Sequence, residues 1–159
     1  MKKTYVNSSK PSQQQLDSLI KLYQDRQYLD AEKLSLSITK EFPKHTLAWK
    51  VLGAILKQKG KISESLIVFQ KSVQLDPQDA KAHNNLGTLL KEQGRIKEAE
   101  ASYAKAIALK PDYVQAHYNL GVLLQVWHVR KELDYNMQMT EQRKYTDLFR
   151  YVLIYIYIY

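Results

Sequence analysis

The chain has 159 residues, a formal net charge of +8 and no cysteine, a length that suits one domain. Without cysteine there are no disulfides, no thiolate metal sites and no cysteine nucleophile, and the composition fits a reducing compartment. The positive balance favours acidic partners and says nothing about fold; lysines and arginines are spread along the chain rather than clustered, which argues against nucleic acid.

Residues 1–11 are polar, end at Pro11 and read as a loose, disordered arm. Met1-Lys2-Lys3 resembles the start of a secretory leader, but Thr4 to Gln15 holds no apolar core, so no leader is expected. No stretch approaches the roughly 20 apolar residues of a membrane span, and the expected location is cytoplasmic.

Ser12 is positioned to cap a first helix. Leu16, Leu19, Ile20 and Tyr23 give a helical stripe, and Ala31, Leu34 and Ile38 continue it on a second helix. Between Thr46 and Asp79 a second pair follows, with Trp49 expected to be half-buried between helices. The third pair is the clearest: a helix over Ala80–Gln93 broken by Gly94, then one over Ile96–Leu109 stopped by Pro111. Leu86 and Leu90 share one face of the first helix, and Ala99, Tyr103 and Ala106 one face of the second. Asp76, Asp79 and Asp112 lie in turns where aspartate caps helices.

These pairs repeat. Pro43, Pro77 and Pro111 set a period of 34 residues. Leu52-Gly53, Leu86-Gly87 and Leu120-Gly121 coincide, as do Leu56, Leu90 and Leu124, Gly60 and Gly94, and Phe69 and Tyr103. Mid-helix glycine costs about 1 kcal/mol relative to alanine. Its recurrence at 53, 87 and 121 therefore points to a close approach of the paired helix. The repeats are 12–45, 46–79, 80–113 and a partial 114–125. The first is degenerate, with Leu19 at the glycine position and Arg26-Gln27 at the glycine turn, and reads as an N-terminal cap.

Trp49, Leu52, Gly53, Leu56, Phe69 and Pro77, with Ser65 and Ser72 in place of the usual alanines, resemble the tetratricopeptide repeat (TPR) pattern. The resemblance covers residues 12 to about 125. It implies an all-α fold, a right-handed superhelical solenoid of antiparallel helix pairs whose first helices line a concave groove. By that resemblance the groove positions are Gln13, Leu16, Ile20, Tyr23; Leu47, Lys50, Ala54, Lys57; Lys81, Asn84, Thr88, Lys91; and Gln115, Tyr118, Val122, Gln125. They include four lysines and no acid, which suits an extended acidic protein or peptide segment. Solvated helix surface is the equally weighted alternative. The peptide-binding residues are thus expected to be Lys50, Lys57, Lys81, Asn84, Asn85, Thr88, Lys91, Tyr118 and Asn119.

Two ligand modes of the family can be compared. The clamp that holds a chaperone's C-terminal carboxylate matches at Lys50 and Asn85 but fails at Ala54, Gln115 and Asn119, so it is not expected. Asn85 and Asn119 also resemble the asparagine ladder of the repeats preceding O-GlcNAc transferase and similar glycosyltransferase or sulfotransferase domains. Val51 and Asp17 interrupt that ladder. The expected function is a non-catalytic protein-interaction scaffold. The alternative is the N-terminal substrate-binding arm of such an enzyme.

Neither a cofactor nor a metal is expected. His83 and His117 stand at the Trp49 position without a second ligand at helical spacing, and His45 and His128 join no cluster. No carboxylate pair is placed for acid–base work, and no glycine-rich phosphate loop follows a strand. Oligomeric state is not legible.

After Gln125 the pattern stops. His128 stands at the turn position and Leu133 at the small-residue position. Leu133, Met137, Tyr145, Leu148 and Val152 form a broken stripe, expected to belong to a helix that covers, poorly, the apolar face of the last repeat helix. The ending YVLIYIYIY is too short for a bilayer and has the composition of an aggregation-prone strand. A TA dinucleotide tract read as TAT-ATA encodes Tyr-Ile, so the divergent tail 126–159 is expected to arise from a frameshift or from sequence not normally coding. A genuine hydrophobic anchor or partner strand is the alternative.

Overall fold

The structure, a computed structural model, describes residues 10–158, with side chains for 10–148 and 150. The expected arm over 1–11 therefore lies mostly outside the described residues. Among those described there are seven helices and no strand: α1 (Gln13–Gln24), α2 (Tyr28–Glu41), α3 (Thr46–Gln58), α4 (Ile62–Leu75), α5 (Ala80–Glu92), α6 (Ile96–Leu109) and α7 (Val114–Ile158). Two compact units result, one ending at Leu120 and one beginning at Gly121.

In the first unit each of α1 to α5 packs on the helix after it, and α1 also packs on α3. That is the all-α solenoid of antiparallel pairs. Local chemistry fixes the helix ends. Ser12 and Gln15 form a reciprocal capping box: the Gln15 N–H donates to Ser12 Oγ (3.2 Å), and the Ser12 N–H donates to Gln15 Oε1 (2.8 Å). Asp79 caps α5 by accepting the N–H groups of Lys81 (2.9 Å) and Ala82 (3.1 Å). Asp76 instead accepts the Gln78 N–H (3.3 Å) in the turn before it, and Asp112 accepts the Val114 N–H through its backbone carbonyl (2.9 Å).

All three hairpin turns close in the same way. Gly60 and Gly94 have φ +73°, and Arg26, at the equivalent position, has φ +59°. The N–H beyond each reaches back to a carbonyl of the last turn, Lys61 to Leu56, Arg95 to Leu90 and Gln27 to Leu22, each at 2.9 Å. This is the left-handed helix ending that glycine adopts without steric penalty. The second helices stop at Phe42, Asp76 and Lys110 with non-helical backbone, because the proline that follows each disfavours helical geometry at the residue before it.

Glycine sets the distance within a pair. A Cβ added at Gly53 would lie 2.7 Å from Phe69 Cε2, and one at Gly87 would lie 2.8 Å from the Tyr103 ring and 3.2 Å from the Ala99 carbonyl oxygen. The aromatic ring of the second helix rests directly on the backbone of the first. The degenerate repeat reaches the same filling in reverse: Leu19 takes the glycine position, Ser35 the aromatic one, and both side chains are fully buried. Leu19 belongs to a cluster with Ala31, Ile38, Phe42, Ala48, Val51 and Ile55. Ser35 Oγ turns back to its own helix, donating to the Ala31 carbonyl (2.7 Å).

A ring N–H ties α3, α5 and α7 each to the preceding turn. Trp49 Nε1 donates to the Pro43 carbonyl (2.9 Å), His83 Nε2 pairs with the Pro77 carbonyl (3.1 Å), and His117 Nε2 with the Pro111 carbonyl (2.8 Å). A carbonyl oxygen only accepts, so both histidines carry hydrogen on Nε2. Their shared position with Trp49 is a shared structural bond.

The second unit departs from expectation. No turn forms at His128, and α7 is one helix through it. The chain has no glycine after 121 and no proline after 111, so nothing in the sequence stops the helix. A Cβ at Gly121 meets nothing within 4 Å. Leu133 and Met137, expected to cover a neighbouring face, are exposed. Backbone of the C-terminal stretch is helical as far as Ile158 rather than extended; a lone strand would leave its N–H and C=O groups without partners, whereas a helix pairs them internally.

Two outcomes follow for thermal melts followed by circular dichroism. Gly87→Leu is expected to destabilise the array by about 1–3 kcal/mol, as overpacking does, while Gly121→Ala lowers stability not at all. Leu19→Gly and Ser35→Phe are each expected to lower the melting temperature singly. Combined, they should recover part of the loss, because together they recreate the glycine–aromatic pair; additive losses would show that the two positions do not share one packing space.

Candidate binding groove

The expected site residues lie on α3, α5 and the start of α7. First helix α1 packs on first helix α3, and ion pairs join α3 to residues at the two ends of α5. Lys50 Nζ contacts Asp79 Oδ2 at 2.7 Å, and Lys57 Nζ contacts Glu92 Oε1 at 3.5 Å. Lys50 and Lys57 thus hold the second repeat to the third. Lys81, exposed, and Lys91, half-buried, form no ion pair among the described residues. Four groove lysines therefore resolve into two structural and two available ones.

At Asp79 burial alone would push the carboxyl pKa upward. The Lys50 hydrogen bond, the Ala82 N–H, the Lys50 charge and the Lys81 N–H outweigh it and hold the group below the ordinary carboxylate value. Helix capping and repeat-to-repeat attachment thus converge on one side chain.

The asparagines join a polar chain. Gln115 Nε2 donates to Asn119 Oδ1 (3.0 Å), and Asn119 Nδ2 donates to Asn84 Oδ1 (2.9 Å). Tyr103 OH donates to Thr88 Oγ1 (3.2 Å), and the Thr88 hydroxyl donates to the Asn84 carbonyl (3.1 Å). Asn84 is 4% exposed. Its side-chain oxygen is occupied, which fixes the amide so that the NH2 group is the end left for a further acceptor. Asn85 is half-buried, and Tyr118 is exposed. The structure thus brings Asn84, Thr88 and Asn119 together, and pairs Lys50 and Lys57 with Asp79 and Glu92, which the row of groove positions does not contain. Asp79 and Glu92 flank the two ends of α5, outside the four-position face read from the sequence; the chain offered Asp79 only as a cap.

Among the described residues there is no group of three or more His, Asp or Glu side chains able to hold a metal. Nor is any helix of the described residues long and apolar enough to cross a membrane.

A TPR repeat family model matches residues 53–94 and 87–125. Residues 53–125 are tetratricopeptide repeats. Solved structures agree. A mutant O-GlcNAc transferase from Thermobaculum terrenum is 26% identical with a TM-score of 0.64, over 72% of this chain and 23% of that one. The first TPR of Spaghetti (RPAP3), bound to the HSP90 peptide SRMEEVD, is 17% identical with a TM-score of 0.70, over 76% of this chain and 98% of that one. The Yersinia enterocolitica type III secretion chaperone SycD, in complex with a peptide of the translocator YopD, is 19% identical with a TM-score of 0.66, over 74% and 92%. The search of curated protein sequences found no match. The chain spans about a quarter of the transferase, and the two peptide complexes share its TPR fold.

Asp79→Asn keeps a capping side chain and removes the charge that Lys50 meets. A loss of about 1 kcal/mol is expected at neutral pH. Because the native carboxyl pKa is depressed, this stabilisation is complete above the ordinary carboxylate value and fades as pH falls through the native one. Urea denaturation of both proteins should converge in acid; a difference independent of pH would assign the loss to geometry.

Proposed function

We propose that this chain is a non-catalytic TPR scaffold that binds an extended acidic protein segment across the first helices of its repeats. The reading rests on the two available lysines of α5, Lys81 and Lys91, which stand on the same helix as the fixed Asn84 amide. The lysines supply charge that nothing in the array neutralises. The amide NH2 supplies a directional donor for a main-chain carbonyl, and Asn85, Thr88, Tyr118 and Asn119 complete the surface. The complexes of RPAP3 and SycD with peptides support peptide binding as the use of this fold, and the HSP90 peptide SRMEEVD is itself acidic. Nucleic acid is not the proposed partner, since the basic residues form no single stripe in the sequence. A cytoplasmic location accords with the cysteine-free composition.

The test is fluorescence anisotropy with a labelled extended peptide rich in Asp and Glu, against its Asn/Gln counterpart. The acidic peptide should bind more tightly, and its affinity should fall with salt, because exposed charges are screened over about 8 Å at physiological ionic strength. Lys81→Glu with Lys91→Glu should weaken it about tenfold, corresponding to about 1.4 kcal/mol, with the melting temperature preserved because neither lysine holds a neighbouring repeat. Equal binding of both peptides, or indifference to salt, overturns the acidic reading.

The likeness to the Thermobaculum terrenum enzyme supports a second reading, the substrate-binding arm of a glycosyltransferase-like protein. On either reading the purified chain should transfer no sugar to a peptide; the second requires catalytic sequence elsewhere in the same gene.

A further inference from the structure

Helix α5 carries its fixed charges only near its ends: Lys81 at one, Lys91 and Glu92 at the other. Asp79, its cap, is engaged by Lys50 at 2.7 Å, and Glu92 by Lys57 at 3.5 Å. Each end of the helix therefore closes on a neutralised pair. Inside those pairs stand Lys81, exposed, and Lys91, half-buried, with no ion pair among the described residues. Lys91 follows Lys81 by ten residues. The helix rises about 1.5 Å per residue, so the two lie about 15 Å apart along its axis, and at 3.6 residues per turn they differ by about 80° around it. Both thus border one side of α5. Between them on that side lie Asn84, Asn85 and Thr88, all uncharged. Asn84 is 4% exposed, and its side-chain oxygen is held by Asn119, which leaves the NH2 group as the free end.

We propose that α5 selects its ligand by the spacing of two acids: an extended segment carrying carboxylates at positions i and i+4. The inference rests on the acidic-segment reading above and names the sequence class within it. An extended chain rises about 3.3 Å per residue and turns successive side chains to opposite faces. Only even spacings therefore present both carboxylates to α5. Spacings of two, four and six residues place them about 7, 13 and 20 Å apart. Flexible lysine stems bridge the difference of about 2 Å between 13 and 15 Å more readily than one of about 5 or 8 Å. At a spacing of two, one carboxylate is left over the neutral stretch of Asn84, Asn85 and Thr88. At a spacing of six, one is carried past its lysine to the Lys50–Asp79 or Lys57–Glu92 pair, which offers no net charge. Screening over about 8 Å leaves little attraction at either misplaced position. Where the segment passes over α5 it runs lengthwise. The Asn84 NH2, about 4.5 Å along the axis from Lys81, then meets a main-chain carbonyl beside the acid that Lys81 holds.

The test uses the full chain and labelled peptides of equal length in a Ser/Thr background, which disfavours helix. Both peptide ends are blocked, so that no terminal carboxylate adds charge. Each peptide carries two Glu residues spaced by two, three, four or six, and each has a counterpart with Gln in their place. Binding is read by fluorescence anisotropy at low salt. The peptide spaced by four should bind about three- to fivefold more tightly than the others, the worth of one exposed ion pair. Lys81→Gln and Lys91→Gln, made singly, should each level the series, because one lysine cannot measure a spacing. Neither lysine is ion-paired, so both variants should keep the melting temperature. Glu peptides that all bind alike, yet more tightly than their Gln counterparts, overturn the spacing and leave the acidic reading intact. So does an optimum at another spacing, or a preference for four that survives both substitutions. Glu peptides that bind no better than their Gln counterparts overturn the acidic reading and the spacing together.

Discussion

Contact between a ring and a bare backbone governs the array. A phenyl or phenol ring can lie on a helix only where the helix presents no Cβ, and Gly53 and Gly87 supply that gap at 2.7–2.8 Å. The approach brings the two helices of a pair close enough for the small residues beside the ring to reach the opposite backbone. Ser65 Oγ, fully buried, donates to the Gly53 carbonyl at 2.7 Å, which a wider separation would leave unmade. Mid-helix glycine is unfavourable locally by about 1 kcal/mol, so the packing must return more than that at both places. Where the first repeat abandons glycine it also abandons the ring, exchanging both for Leu19 and Ser35. Volume, rather than residue identity, is the conserved quantity along the array.

Attachment of one repeat to the next uses different chemistry, and it constrains what the candidate groove can offer. The fifth position of the second and third repeats is spent on the neighbouring repeat: Lys50 on Asp79, Asn84 on Asn119. A lysine in that row is therefore not automatically a ligand for an outside anion. Its charge is available only where the next repeat lacks an acid within reach. The same bond that engages Lys50 positions the cap of α5, and α5 carries Lys81 and Lys91, which form no ion pair among the described residues. Which lysines hold a neighbouring repeat is thus set by where acids fall at the ends of α5.

Much of this was legible because the period aligns local signals with tertiary ones. Pro77 and Gly60 state where helices stop, Gly53 with Phe69 states which faces meet, and each statement recurs 34 residues on. The boundaries of α5 and α6 come within a residue of the periodic reading for that reason. Partners outside the groove row were not legible. Asp79 reads as a cap, and nothing in the spacing shows that its second oxygen reaches Lys50 across a repeat boundary. The Asn119–Asn84 bond was hidden differently: the ladder pattern singles out Asn85 with Asn119, whereas the helix rotation in the structure brings the neighbouring Asn84 into reach. Trp49 and the two histidines show the converse case. Identity differs but the ring N–H is common to both residue types, and a carbonyl six residues earlier receives it in each repeat.

The end of the array shows which signal dominates when local and periodic instructions disagree. Leu120-Gly121 and Leu124 retain the repeat pattern, and Leu133 and Met137 retain apolar character in the right register, so the packing instruction for another pair persists in part. The breaking instruction does not, since His128 replaces the glycine that Gly60 and Gly94 provide. Arg26 shows that a non-glycine residue can adopt φ +59° at this position. It does so where Ala31, Leu34 and Ile38 give the following helix a buried face. Beyond His128 the equivalent stretch, with Arg130 and Thr140 between its apolar residues, offers less burial to offset the strain of a left-handed residue, about 1–2 kcal/mol. Continuing the helix keeps every backbone hydrogen bond and avoids that strain, but it leaves the apolar register exposed. A turn, on this account, forms only when the helix that follows can bury enough surface to hold it.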